Sequence, residues 1–140
     1  MSTGLKAYRK TLHSTFDIKI HIVFVTKYRK EVLTGEHLIY LEEVVKNVVA
    51  TCNSVLVEFN GETDHIHMIV SIPPRVSVSY IVNILKSVTS RLLRKKYDVF
   101  KKEYWGVGIG LWNRSYFAAS VGDVNLATII EYIANQERPT

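Results

Sequence analysis

Apolar and polar residues alternate along residues 17–26, "DIKIHIVFVT", and the stretch is rich in β-branched side chains, which predicts a first strand. The period then lengthens. Leu38, Leu41, Val45, Val48 and Cys52 recur at steps of three and four, the apolar stripe of a helix beginning near Thr34 or Gly35. "SVLVEFNGETDHIHMIVSI" returns to the strand pattern, and Asn60-Gly61 within it is a strong turn signal, so two antiparallel strands joined there are expected. Beyond "PPR", Val78, Ile81, Leu85, Val88 and Leu92 mark one face of a second helix, whose other face carries Ser79, Asn83, Lys86, Ser90 and Arg94. "SYFAASVG", residues 115–122, reads as a fourth strand ending at Gly122. "NLATIIEYIANQ" reads as a closing helix with Asn125 or Asp123 as its cap.

The order β-α-β-β-α-β plus a terminal helix is the split β-α-β, ferredoxin-like plan of the α+β class, an antiparallel sheet with two helices packed on one face. The 140 residues suffice for one core of useful size and not for two, so residues 1–140 are read as one domain. Within it, residues 1–16 form a less ordered N-terminal segment and 124–136 the last helix. Eighteen Lys and Arg against thirteen Asp and Glu leave a net charge of +5, which favours a polyanionic partner such as nucleic acid. The lone Cys52 has no partner within the chain for a disulfide and sits among apolar neighbours, in keeping with a reducing, cytoplasmic setting. The first sixteen residues lack the apolar core of a signal peptide, and no later segment reaches the length of a membrane span, so neither export nor insertion is expected.

Candidate chemistry begins at "DHIHMIV", residues 64–70. In a strand, alternate residues share a face, so His65 and His67 lie ~7 Å apart on one side while Ile66, Met68 and Val70 turn to the helices. The histidines are therefore expected on the open face of the sheet, where two imidazoles can converge on one ion. Two ligands leave a metal incomplete. The closing helix offers Tyr132 and Gln136, four residues apart and so neighbours on one helical face. At ~100° per residue, Tyr132 falls roughly 110° from the centre of the stripe formed by Leu126, Ile129, Ile130 and Ile133, which argues against a core role. Taken singly, each of these residues has a plain structural reading; the combination is what points to a site.

"DHIHMIV", "SIPP", "LWNRSYFAASVG" and "EYIANQ", with "HIVFVTKYRKEVL" from His21 and "ILKSVTSRLL" from Ile84, resemble the short single-tyrosine HUH transposases of prokaryotic insertion sequences, the TnpA or IS200-like type. The likeness spans roughly residues 8–136, in the family's order and spacing. It implies that His65, His67 and Gln136 bind a divalent metal, Mg²⁺ or Mn²⁺, and that Tyr132 is the nucleophile. It further implies single-stranded DNA with hairpins at the element ends as substrate, a 5′-phosphotyrosine intermediate with a free 3′-hydroxyl, and a homodimer with composite sites. The residues suit that chemistry. A free tyrosine is ionised to only about one part in a thousand at neutral pH, a deficit of ~4 kcal/mol that a nearby cation can offset. No phosphate-cradling "GxxxxGK[ST]" loop occurs, in agreement with a reaction that needs no nucleotide.

Candidate DNA contacts are the basic and aromatic stretch Lys27, Tyr28, Arg29 and Lys30, the helix residues Lys86 and Arg94, and Arg114, side chains able to meet phosphates or stack on bases. Two other functions fit part of the pattern. A ferredoxin-like nucleic-acid-binding module without cleavage accounts for charge and fold but leaves the joint occurrence of His65, His67, Tyr132 and Gln136 as coincidence. A domesticated HUH nicking endonuclease shares the chemistry and differs in its biological use.

Overall fold

The structure, a computed structural model, describes residues 8–11, 13–104, 110–120 and 125–135. A short hairpin of β1 (Arg9–Lys10) and β2 (Thr15–Phe16) comes first. The Arg9 guanidinium staples it to the rest: one Nη donates to the Ser71 carbonyl at 3.0 Å and to Ser71 Oγ at 3.1 Å, the other to the Asn53 carbonyl.

The expected first strand is β3 (Lys19–Val25), shorter at both ends than the alternating run. A 3₁₀ turn over Lys27–Arg29 leads to α1 (Gly35–Thr51). Thr34 caps α1 in a reciprocal box: its hydroxyl accepts from the His37 N–H, and its own N–H donates to His37 Nδ1 at 3.0 Å. Strands β4 (Val55–Glu62) and β5 (His65–Ser71) follow, then α2 (Val78–Lys96), a short α3 (Asp98–Glu103) that the sequence pattern did not announce, β6 (Phe117–Ser120) and α4 (Leu126–Asn135). Asn125 caps α4 by accepting from the Thr128 N–H at 3.1 Å, while Asp123 and Gly122, named above as cap and strand end, lie outside the described residues.

The sheet order is β4-β5-β3-β6 with every neighbouring pair antiparallel, the ferredoxin-like arrangement expected. One face packs on the helices: Ile22 and Phe24 of β3 and Ile66, Met68 and Val70 of β5 meet Leu41, Val45 and Val49 of α1 and Ile81, Leu85 and Leu93 of α2. On α2 the buried line runs through Val82, Thr89 and Leu93, whereas Val88 and Leu92 are half-buried. A spacing of 3.5 residues drifts by about 20° per heptad against the 3.6-residue turn, which over so long a helix moves the stripe off the positions first chosen.

The β4–β5 turn departs from expectation. It is Thr63-Asp64, and Asn60-Gly61 lies inside β4, with Asn60 opposite His67, Gly61 opposite Ile66 and Glu62 opposite His65. A turn at Asn60-Gly61 would leave the far half of β5 without a partner on β4; the observed register pairs Val55 with Ser71 and so uses the whole length of both strands, absorbing a bulge between Leu56 and Glu58. Gly61 serves close packing instead. A Cβ there would lie 2.8 Å from the His65 carbonyl oxygen and 2.9 Å from Leu38 Cδ2.

The second face of the sheet is not open. Ile130 and Ile133 of α4 pack with Val23 and Val25 into a smaller core, flanked by Phe117, Leu126 and Ile129. His65 lies on this face and is buried, because α4 covers the side of the sheet that a two-layer reading leaves to solvent.

Candidate active site

Strand alternation and cross-strand register place His65 opposite Val25 and His67 opposite Val23. The two imidazoles are 6.3 Å apart between ring centroids and nearly parallel, at 23°. His65 is buried and His67 half-buried. A third histidine joins them: His21 of β3 meets His67 edge-on at 5.6 Å and Phe117 at 6.1 Å. Burial holds His67 below the ordinary histidine range, and the neighbouring His21 and His65 push it the same way against the opposing pull of Glu58 and Glu62. His21 is lowered chiefly by burial. These rings are thus poised to stay neutral, the form in which an imidazole nitrogen binds a metal.

Asp64 sets the orientation of His65. Its Oδ1 lies 2.9 Å from His65 Nδ1, and its Oδ2 accepts from Arg29 Nε at 2.9 Å. An ionised carboxylate only accepts, so Nδ1 carries the hydrogen of that bond and Nε2 is the nitrogen turned away from Asp64. Burial alone would raise the Asp64 carboxyl, but the bonds from His65 and Arg29 outweigh it and hold it below the usual range. The donor set therefore fits a metal in character: imidazole nitrogens, with Nε2 of His65 oriented by a carboxylate behind Nδ1. Among the described residues no cluster of three His, Cys, Asp or Glu side chains is arranged to hold an ion. Gln136, the residue named for that role, lies outside the described residues.

Tyr132 is on α4 and 67% exposed, on the flank of the helix rather than on its Ile130–Ile133 face. It makes no hydrogen bond or ring contact with His65 or His67. The same helix nonetheless borders the site: a surface pocket is lined by Arg29, Asp64 and His65 together with Leu126, Ala127 and Ile130.

The residues expected at DNA take several positions. Tyr28 is exposed and Lys27 half-buried, with the Lys27 ammonium 5.6 Å from the Tyr28 ring centre. Arg29 is engaged with Asp64, while Lys30 donates to the Glu103 carbonyl at 2.8 Å and lies over the Tyr104 ring. Lys86 donates to the carbonyls of Asn113 and Arg114 at 2.7 and 3.0 Å, so its ammonium fastens the segment before β6. Arg94 is half-buried and Arg114 exposed. Sequence reasoning passed over Asp64 and His21, although both stood in the quoted blocks. The signal for Asp64 was an acidic residue directly before a candidate ligand; for His21 it was a histidine on the same face of its strand as Val23 and Val25, opposite the face of Ile22 and Phe24.

Comparison with known proteins identifies the family. The chain is 33% identical over 124 residues to the transposase for insertion sequence element IS200 of Salmonella typhimurium, covering 89% of this chain and 80% of that protein. It is 28% identical over 121 residues to the ISDra2 transposase TnpA of Deinococcus radiodurans, covering 86% and 85%. A crystal structure from Deinococcus radiodurans R1, described as a transposase, superposes with a TM-score of 0.80 at 26% identity over 94% of this chain and 99% of that one. A REP-associated tyrosine transposase bound to a REP hairpin shares the fold, with a TM-score of 0.54 at 14% identity over 95% and 70%. The family model for IS200-like transposases matches residues 14–136, and with that span and these relatives the chain belongs to the IS200-like transposase family of DNA-processing enzymes.

Proposed function

We propose that this transposase cleaves and rejoins single-stranded DNA at the ends of its insertion sequence through a covalent link to Tyr132. The phenol gives up its proton as its oxygen attacks the scissile phosphorus, the bond from phosphorus to the 3′ oxygen breaks, and that oxygen leaves with the electron pair and takes up a proton, so that none is gained or lost overall. The products are a 5′-phosphotyrosine and a free 3′-hydroxyl. Because one phosphodiester is exchanged for another, the bond energy is kept for the later rejoining step.

His65, His67 and Gln136 are the residues we assign to a divalent metal, Mg²⁺ or Mn²⁺. When bound, such an ion supplies Lewis acidity to a phosphate oxygen and to the developing charge on the leaving group. Burial lowers the pKa of His67, and Asp64 holds a hydrogen on Nδ1 of His65, which leaves Nε2 as the nitrogen to face an ion. The single observation that carries the reading is the position of α4, which packs its isoleucines on the histidine face while presenting Tyr132 outward. An exposed nucleophile that makes no hydrogen bond or ring contact with the histidines of its own chain supports a homodimer in which one subunit's tyrosine completes the partner's histidine pair. Lys27, Tyr28, Arg29, Lys30, Lys86, Arg94 and Arg114 are the candidate contacts to DNA backbone and bases.

The test is a denaturing-gel assay with end-labelled single-stranded DNA from the element's flanks, run with Mg²⁺ or EDTA. A metal-dependent protein–DNA adduct is expected with the wild type and none with Tyr132→Phe. Tight binding without an adduct would favour the non-cleaving module. Cleavage without rejoining would favour the nicking endonuclease.

A further inference from the structure

We propose that Arg29 and Asp64 form a positioning relay that holds His65 in the tautomer and orientation a metal requires; this rests on the metal reading above. Neither residue touches the reacting atoms. Asp64 bridges the two others, with Oδ1 at 2.9 Å from His65 Nδ1 and Oδ2 at 2.9 Å from Arg29 Nε. The Asp64 side chain is 15% exposed and that of His65 4%, so the bond between them is shielded from competing water.

The backbone around the relay is built to keep it in place. Asp64 sits in the two-residue turn between β4 and β5, and this tip is fastened to the segment after β3. The Thr26 N–H donates to the Asp64 carbonyl at 2.9 Å, and the Leu33 N–H donates to the Thr63 carbonyl at 3.0 Å. Arg29 reaches the tip from an unusual conformation. Tyr28 and Arg29 have φ of 59° and 54°, two successive left-handed residues of which neither is glycine. Such geometry persists only where the surroundings impose it. Here the Lys27 N–H donates to the Leu111 carbonyl at 2.8 Å, the Tyr104 hydroxyl to the Lys27 carbonyl at 2.9 Å, and the Thr26 hydroxyl to the Lys30 carbonyl at 2.7 Å. The turn thus spends conformational energy on an excursion that brings the Arg29 side chain to Asp64.

A carboxylate behind a metal-binding imidazole fixes its tautomer and raises its basicity, and losing it commonly weakens metal affinity about 10- to 100-fold. The guanidinium on the second carboxylate oxygen keeps Asp64 from turning to solvent. The expected pattern is therefore graded: Asp64→Ala has the full loss, Asp64→Asn and Arg29→Gln smaller ones, and Arg29→Lys stays nearest the wild type because it retains the cation.

The experiment uses the full chain and two readouts independent of cleavage. Two-bond ¹H–¹⁵N NMR on metal-free, ¹⁵N-histidine-labelled protein reads the His65 tautomer, and Mn²⁺ titration followed by EPR reads affinity. Expected are hydrogen on Nδ1 in the wild type, loss of that single tautomer in Asp64→Ala, and Mn²⁺ affinity lower by about 10- to 100-fold. Asp64→Asn, nearly isosteric, separates this loss from a folding defect. Hydrogen on Nε2 in the wild type overturns the relay. So does Mn²⁺ binding by Asp64→Ala as tight as that of the wild type. A wild type that binds no Mn²⁺ brings down the metal reading itself, and the relay with it.

Discussion

Gly61 lies against His65 across the β4–β5 ladder so closely that a methyl group on its Cα would stand 2.8 Å from the His65 carbonyl oxygen. On its other side that methyl would meet Leu38 of α1 at 2.9 Å and Ile66 at 3.0 Å. Backbone on one side and packed core on the other leave little room to yield. Gly61→Ala is expected to destabilise the fold by about 1–3 kcal/mol, the usual scale for overpacking a tight site, read as a lower urea midpoint at unchanged m-value. Because the clash falls on the strand that carries the histidines, Mn²⁺ affinity is expected to drop alongside stability. An unchanged midpoint would show that β4 and α1 separate more easily than this packing implies.

Trp112 is buried and donates its Nε1 hydrogen to Thr89 Oγ1 at 2.8 Å, tying the segment before β6 to the middle of α2. The Thr89 hydroxyl itself donates to the Leu85 carbonyl at 2.6 Å. Thr89→Val keeps the shape and removes the acceptor, stranding a buried N–H. The expected cost is about 1–3 kcal/mol in equilibrium unfolding. A neutral substitution would mean that water reaches the indole.

Tyr132→Phe removes only a hydroxyl from a side chain that is 67% exposed. Stability is expected to stay within about 0.5 kcal/mol of the wild type and DNA affinity within a few-fold, while the covalent adduct disappears. An adduct that survives in the Phe variant would remove Tyr132 from the reaction. Mixing Tyr132→Phe with His65→Ala distinguishes the two placements of the tyrosine: recovered adduct formation in the mixture means that it acts across the dimer, and none means that it acts within one chain.

Stability should fall on acidification below the ordinary histidine pKa of 6.5, and His37 is one identifiable cause. Burial lowers its folded-state pKa, with Glu36 and a backbone hydrogen bond pulling the other way. Between that depressed value and 6.5 the unfolded chain binds the extra proton, so stability is fully present above 6.5 and is lost as pH falls through the folded pKa. The structural reason is visible: Nδ1 accepts the Thr34 N–H in the cap of α1 and cannot do so once protonated. His37→Gln places a pH-indifferent acceptor at the same point of the box and is expected to flatten this part of the profile. It should also lower stability at pH 8, since the imidazole packs on Tyr97 and Phe100 at 4.4 and 4.7 Å. His21 and His67 are depressed in the same sense, so some slope remains. A profile identical to that of the wild type would discount the cap as a source of acid sensitivity.

Hydrophobic period is a local property, and what depends on it was legible in the residues alone. The alternation of "HIVFV" and "HIHMIV" and the stripe from Leu38 to Cys52 determined the elements, their order and hence the antiparallel sheet with two helices on one face. The same alternation determined that His65 and His67 share one side of β5 and that Tyr132 stands off the apolar line of α4. Tertiary structure decided the rest. The Asn60-Gly61 turn signal gave way because pairing the full length of β4 and β5 satisfies more backbone groups than a tighter hairpin, and because α1 needs a residue without a side chain at position 61. Whether the histidine face stays open depended on where α4 docks, a contact between residues more than a hundred positions apart in some pairs, such as Val23 and Ile130. The partners of Arg29, Lys30 and Lys86 were equally beyond reach. A long cationic side chain at the surface looks the same in sequence whether it waits for phosphate or already holds a carboxylate or a carbonyl of its own chain, and only the three-dimensional neighbours distinguish the two.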